Sequence, residues 1–304
     1  MTTHGSAKTL KVGLLDMNNG MANQAIRSFK TLIGALFERA RVENPALETQ
    51  LIHVEPRNRG DAPPEGCDLY LSSGGPDSPV DGFAEGWCPA YRRFLDGLVD
   101  ARQHRGEAAP GFFGVCYSFE ITTMHFGVAR MEPREKRFGI MPVYPTPEGE
   151  ASGLLGAFGD RFFAWEHRLW NAVDLDEKRL AELGGALYAR ESRDGVSKGP
   201  GLTSFRFAPG IEATIFHPEA DRAGALHWIK NPEQAQAVID TYGQTTYERM
   251  LRTLDDPTRL ARTYALLIPG WLNASFNRLA AHRGWNELPA IDYDESLRDF
   301  AKAG

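Results

Sequence analysis

The amino-acid sequence predicts an α/β protein, built on a doubly wound, mostly parallel sheet and followed by a helical C-terminal extension. Strand-like apolar runs alternate with helical segments through the first part of the chain, and after Asn231-Pro232 the pattern becomes helical. With 304 residues, 42% of them apolar, the chain can bury a large core but is short for two full-sized domains. We therefore expect a main domain over residues 9–229 and a helical extension over residues 230–304.

The first part of the chain has a regular strand–helix rhythm. The predicted strands are Leu10–Asp16, Leu51–Val54, Asp68–Leu71 and Pro110–Phe113. The predicted helices are Gln24–Leu36, Tyr91–Val99 and Phe119–Met124. This rhythm implies a parallel sheet with helices on both faces, and in such sheets ligands collect where the strands end.

The rest of the chain shows other patterns. We expect short strand-like pieces from Gly127 to Thr146, then a hairpin of Leu202–Phe207 and Ile211–Phe216. Three amphipathic helices are predicted after it, over Pro232–Tyr242, Thr246–Leu254 and Asp256–Leu267. Asp256 is a good helix cap and Pro257 a good first residue for the third helix. The apolar run Tyr264–Leu272 is expected to pack on the main domain, with a homodimer contact as the alternative.

Composition excludes several classes of function. A net charge of −6 and a pI near 5.8, without a dense basic run, argue against binding to nucleic acid. The three cysteines form no CxxC pair and are typical of a reducing cytoplasm. The sequence shows neither a secretion signal nor an apolar stretch that could span a membrane. Since no phosphate-binding loop of the GxxxxGK type appears, we expect no fused nucleotide-binding synthetase domain. We also expect no cofactor and no metal.

The segment Gly114–Ser118 places Cys116 between an apolar strand and a helix start. A nucleophile in such a tight turn is held on a strained backbone, with its side chain at the carboxyl edge of the sheet. The helix dipole favours the thiolate, so we expect a lowered pKa for Cys116. A lone cysteine after an apolar strand is more often simply buried, which is our interpretation of Cys67 and Cys88.

About a hundred residues later, the segment Phe216-His217-Pro218-Glu219 can complete a catalytic site. His217 can act as the base for Cys116. Glu219 lies two residues further along an extended strand, hence on the same face, and can fix the tautomer of the imidazole. A structural histidine is the alternative for His217, but the turn around Cys116 favours catalysis.

Together with Ser72–Pro79, these motifs are in the order and spacing of the class I glutamine amidotransferases, which the chain resembles from about Leu10 to Trp228. The resemblance implies a flavodoxin-like fold. It also implies a triad of Cys116, His217 and Glu219, with the backbone amides of Gly75 and Tyr117 holding the oxyanion. Beyond Asn231 the resemblance gives no guidance.

The resemblance also indicates the substrate side of the site. The residues assigned to it are Gly74, Pro76, Ser118, Glu120, His167 and Arg168. Glutamine-using members generally have Gly-His-Gln where this chain has Ser118, Phe119 and Glu120. A carboxylate at 120 can accept from an ammonium group but repels a substrate carboxylate, so the identity of the substrate stays open.

Three functions remain from the sequence. The first is a cysteine amidohydrolase that releases ammonia or an amine from glutamine or a γ-glutamyl amide, alone or for a separate ammonia-accepting synthetase. The second is acyl transfer from an acyl-coenzyme A, as in the homoserine acyltransferases, which also place an arginine after a histidine as in His167-Arg168. The third is a non-catalytic binding protein on the same fold, which the complete triad disfavours.

Overall fold

The computed structural model describes residues 9–193 and 201–292. Within these ranges nine strands form one sheet, and helices pack on both of its faces. The strands are β1 Thr9–Leu15, β2 Glu48–Val54, β3 Leu69–Ser72, β4 Gly111–Val115, β5 Arg130–Pro145, β6 Phe162–Val173, β7 Ala186–Arg190, β8 Leu202–Ala208 and β9 Ile211–Thr214. The segment examined for a secretion signal and the end of the predicted extension lie outside the described residues.

The helices follow the predicted alternation. They are α1 Gln24–Glu43, α2 Pro56–Arg59, α3 Pro79–Ala84, α4 Cys88–Arg105, α5 Tyr117–Phe126, α6 Pro147–Glu150, α7 Glu177–Glu182, α8 Arg222–Ile229, α9 Pro232–Tyr242, α10 Gln244–Thr253 and α11 Arg262–Arg283. No helix in these ranges offers the uninterrupted apolar length that crossing a lipid bilayer requires.

The sheet is mixed, so the prediction of a mostly parallel sheet is only partly confirmed. Its strand order is β2-β1-β3-β4-β9-β8-β6-β5-β7. The first five strands pair in parallel, whereas the pairs from β9 to β7 are antiparallel. The reason is local: a turn at Pro209-Gly210 joins β8 to β9, and so short a connection permits only antiparallel pairing.

The region from Gly127 to Thr146, expected to form short pieces, contains the single 16-residue strand β5. Its pairing with β6 is irregular between Pro133 and Arg137. A bulge of this kind interrupts the period-2 pattern of side chains, which explains why the sequence shows pieces rather than one strand.

The C-terminal helices begin within two residues of their predicted starts, but the third predicted helix does not end where expected. Asp256 accepts a hydrogen bond from the amide of Thr258, as a helix cap does, and a π-helical turn follows. The predicted end at Leu267 is wrong, because α11 continues to Arg283 with Pro269 inside it. An internal proline costs roughly 3 kcal/mol. Burial of the apolar side chains around Pro269 offsets that cost.

Helix α11 packs on the sheet and on α1. Its residues Leu267, Ile268 and Leu272 are buried in the same apolar cluster as Phe113 of β4. The indole of Trp271 lies 5.5 Å from the Phe113 ring, measured between ring centroids. This side of the extension is thus covered by the rest of the chain, while the boundary between residues 229 and 230 stays a prediction.

The sheet order explains how three distant motifs meet. Strands β3, β4 and β9 are neighbours and run parallel. Their carboxyl ends therefore lie at one edge of the sheet, where β3 leads into the Gly74-Gly75 loop, β4 into Cys116 and β9 into His217. This edge holds the candidate site.

Candidate active site

Cys116 occupies a strained turn between β4 and α5. Its backbone has φ 51° and ψ −106°, a conformation that residues with a side chain rarely adopt. The amide of Cys116 donates to the carbonyl of Thr214 at 2.8 Å, which fixes the turn against β9. A Cβ added to Gly114 would lie 3.3 Å from the Cβ of Ser118, so the turn needs a small residue there. The expected sharp bend is present.

His217 connects Cys116 to Glu219. Its imidazole and the side chain of Cys116 both lie against Gly74, close enough for their charges to interact, and its Nδ1 lies 2.8 Å from Oε1 of Glu219. Because Nδ1 faces the carboxylate, Nε2 is the nitrogen left to exchange a proton. The backbone amide of His217 donates to the carbonyl of Trp165 at 2.8 Å. The three residues predicted to form a triad thus lie together at this edge of the sheet, and their catalytic role stays a prediction.

The charges of these groups are coupled. Burial raises the pKa of the Cys116 thiol, and the neighbouring His217 lowers it only in part. The expectation of a lowered thiol pKa is therefore wrong, because it considered the helix dipole but not desolvation. Burial alone would lower the pKa of His217, but the charges of Glu219 and Cys116 outweigh it and raise that pKa well above the usual value. A positively charged imidazole at 217 therefore offsets part of the cost of forming a buried thiolate at Cys116.

The loop after β3 lies directly against the cysteine and the histidine. A Cβ added to Gly74 would lie 3.1 Å from the Cβ of Cys116 and 3.0 Å from Cε1 of His217. A Cβ added to Gly75 would collide with the carbonyl oxygen of Met17. Both positions need glycine because there is no space for a side chain.

The two amides predicted to hold an oxyanion are available. Tyr117 is the first residue of α5, where an amide has no acceptor within the helix. In the described part of the chain, neither this amide nor that of Gly75 donates to another protein group. Both therefore remain free to donate to a substrate oxygen.

Ser118 lies beneath the glycine loop, and its assignment to the substrate side stays a prediction. It is fully buried, and its hydroxyl donates to the carbonyl of Ser73 at 2.7 Å. The hydroxyl oxygens of Ser118 and Ser72 are 2.7 Å apart, and the Tyr91 hydroxyl donates to Ser72 at 3.0 Å. These bonds fix the glycine loop to the cysteine turn.

Arg57, in the short helix α2 that follows β2, is not among the residues that the sequence assigns to the site. Its buried guanidinium donates to the carbonyls of Met17 at 3.0 Å and Pro76 at 2.8 Å, and to the carboxylate of Asp77 at 2.8 Å. It also lies 4.1 Å from the ring centroid of Tyr117. Arg57 therefore connects the glycine loop with the helix start. The sequence feature that could have indicated Arg57 is its position just after β2, which pairs in parallel with β1.

Glu120 lies one helical turn after Cys116 and is only 3% exposed. Burial raises the pKa of its carboxyl to about 7, although Arg168 and His217 counteract this. Near neutral pH the side chain is therefore divided between its protonated and charged forms. It can accept a hydrogen bond from a substrate and, when protonated, donate one.

His167 and Arg168 are adjacent in β6 and point to opposite faces of the sheet. The guanidinium of Arg168 is fully buried and donates to Glu166, Glu191, Asn171 and the carbonyl of Trp170. These contacts favour a structural role, and its role in substrate binding stays a prediction.

His167 is half-buried on the face that also carries aromatic side chains. Its ring lies 5.5 Å from that of Phe138 and 4.9 Å from that of Trp228. Burial, followed by the charges of Lys136 and His217, lowers the pKa of His167 to about 4. A neutral His167 is therefore expected near neutral pH. Over residues 9–193 and 201–292, no group of three or more His, Cys, Asp or Glu side chains is arranged to hold a metal ion.

Comparison with known proteins agrees with the fold. No family model and no curated protein matches the sequence. A solved glutamine amidotransferase from Methylobacillus flagellatus superimposes with a TM-score of 0.59 at 15% identity, over 93% of this chain and 98% of the other. Another from Thermotoga maritima gives 0.56 at 13% identity, over 88% and 97%. The chain therefore has a class I glutamine amidotransferase-like fold.

Proposed function

We propose that this protein is a cysteine amidohydrolase of the glutamine amidotransferase type. The observation that supports the proposal is the grouping of Cys116 and His217 against Gly74, with Glu219 on the imidazole and two backbone amides nearby that donate to no other described group. The backbone strain at the cysteine is typical of functional sites. A histidine held by a carboxylate is what activates a neighbouring nucleophile.

In the proposed first step, the sulfur of Cys116 attacks a carboxamide carbon, and His217 takes the thiol proton. The carbonyl oxygen becomes negative and accepts from the amides of Gly75 and Tyr117. When the C–N bond breaks, His217 gives its proton to the departing ammonia or amine, leaving a thioester on Cys116. Glu219 stabilises the imidazolium throughout.

In the second step, His217 takes a proton from water, and the resulting hydroxide attacks the thioester carbon. The C–S bond breaks, the carboxylic acid leaves and Cys116 recovers its proton. No oxidant or cofactor is needed. We place the reaction in the cytoplasm, with the ammonia either released or passed to a separate synthetase.

The acyltransferase alternative receives less support. It depended on an arginine after a histidine, but the guanidinium of Arg168 is already held by two carboxylates, an amide and a carbonyl. A non-catalytic role is likewise disfavoured, because packing alone does not require the positive φ of Cys116.

A donor screen tests the proposal. Purified protein is incubated separately with glutamine, with γ-glutamyl amides, and with acetyl- or succinyl-coenzyme A plus homoserine, and ammonia, amine and free thiol are measured. We expect ammonia or amine release that is lost in Cys116→Ala and kept in Cys88→Ala, which removes another buried thiol. Homoserine-dependent thiol release would instead support acyl transfer. Absence of both products, and of any mass increase on Cys116, would refute catalysis.

A further inference from the structure

We propose that Lys136 binds an anionic group of the substrate, a carboxylate, at a subsite beside His217. The inference rests on the proposed function, since it names the chemical class that the same site accepts. It does not follow from the sequence motifs, which leave Lys136 unassigned.

Sheet pairing places His217 and Phe138 on one face, and the ammonium of Lys136 lies by the Phe138 ring. His217 and Trp165 are directly opposite each other in an antiparallel bridge, so their side chains share a face and are close. His167, two residues after Trp165, lies on that face too, and Phe138 of β5 is the partner of His167. A continuous row of side chains thus leads from His217 across β6 to β5.

Lys136 stands at the far end of this row. Its Nζ lies 5.6 Å from the ring centroid of Phe138 and 5.3 Å from that of Trp228. The charges of Lys136 and His217 both act on His167, so both lie within electrostatic range of its ring. The side chains of Lys136, His167 and Trp228 are half-buried, so solvent reaches all three. We call the surface that they form the Lys136 wall.

The ammonium of Lys136 has no acidic partner. Among the described residues no carboxylate forms an ion pair with it, and burial alone lowers its pKa. A partly desolvated ammonium without a counter-charge favours binding of an anion. In its charged form Glu120 repels a substrate carboxylate near Cys116. The ammonium of Lys136, on the Lys136 wall, can form an ion pair with it instead.

The C-terminal helices hold this subsite in position. The hydroxyl of Tyr242 in α9 donates to the carbonyl of Lys136 at 2.6 Å, in the irregular part of β5. Gly139 of β5 has φ 108°, and a Cβ there would lie 2.6 Å from the Cε of Met250 in α10. The extension thus fixes the segment that carries Lys136, which gives it a role in substrate selection.

The test uses alkylation of Cys116 instead of turnover. The probes are the N-chloroacetyl derivatives of glycine, β-alanine and 4-aminobutyrate, each compared with its neutral carboxamide. For the probe whose chain length lets its carboxylate reach Lys136, the acid should alkylate Cys116 faster than the matching carboxamide in the wild-type protein. In Lys136→Met this acid-to-amide rate ratio should fall about fivefold, the size of one partly exposed charge pair. The rate with iodoacetamide should not change.

Two controls define the result. Lys136→Arg keeps the positive charge and should retain the acid preference, and Lys178→Met removes an exposed lysine and should leave every rate unchanged. If Lys136→Met does not fold, Lys136→Gln is measured in the same way. Equal ratios in wild type and variant at all three lengths would overturn the subsite. A wild-type protein that shows the acid preference but releases no ammonia or amine would refute the proposed hydrolase and leave the subsite standing.

Discussion

Replacing Arg57 with methionine removes the contacts that join the glycine loop to the rest of the site. The guanidinium satisfies the carbonyls of Met17 and Pro76 and an oxygen of Asp77, while lying on the Tyr117 ring. Methionine preserves the apolar stem but donates no hydrogen bond. The loop that carries one of the two oxyanion amides would then lose its attachment to the end of β1.

The expected cost follows from these partners. The side chain of Asp77 is 55% exposed, so water can replace its lost bond and it contributes little. Each buried carbonyl left without a donor costs about 1–3 kcal/mol, and together we expect Arg57→Met to lower the free energy of unfolding by about 2–5 kcal/mol. For a chain of this length that corresponds to a decrease in Tm of roughly 3–8 °C.

Two measurements check this reasoning. Thermal unfolding followed by circular dichroism should show the lower Tm, and turnover should fall at least about tenfold because the oxyanion loop is displaced. Alkylation of Cys116 by iodoacetamide should change less than turnover, since it needs no oxyanion hole. Arg93→Met, on an exposed face of α4, should change Tm by less than roughly 2 °C. A Tm for Arg57→Met equal to that of Arg93→Met would refute the proposed clamp.

Three further predictions address the triad and its surroundings. Glu219→Gln should lower the pKa of His217 and reduce turnover roughly 10²–10⁴-fold; an unshifted pH profile of thiol alkylation would contradict this. Because burial raises the pKa of Glu120 from 4.5 to about 7, the folded state retains a proton there and stability falls as pH rises across that interval. Glu120→Gln should remove up to about 3 kcal/mol of this pH-dependent loss of stability, measured by urea unfolding at pH 5 and 8. An equal pH dependence of stability in both proteins would exclude a raised pKa of Glu120. Gly75→Ala should abolish turnover and lower Tm, because its methyl group collides with the Met17 carbonyl, whereas unaltered kinetics would show that the loop adapts.

The residues proposed as the triad could be selected from the sequence because local sequence encodes their surroundings. A strand, a bend and a helix start identify Cys116, and an extended segment with polar residues two apart identifies His217 and Glu219. The start of α9 was predicted for the same reason, since Asn231 accepts from the first amides and Pro232 suits the first helical position.

Other features depend on contacts that no local pattern records. Arg57 lies in a four-residue helix without periodicity, and its partners are 19 to 40 positions away. Pro269 indicates a helix end, but packing against the sheet keeps α11 continuous. The pairing of Arg168 with Glu166 and Glu191 likewise becomes visible only when β6 and the end of β7 are brought together.

By itself, the sequence determined the alternation of strands and helices, the glycine loop and the bend at Cys116, because each is governed by neighbouring residues. The tertiary structure decided the antiparallel half of the sheet, the raised pKa of the buried thiol and the surroundings of Lys136, on which the proposed subsite rests. These depend on desolvation and on charges between segments far apart in the chain, which are set only when the strands pair.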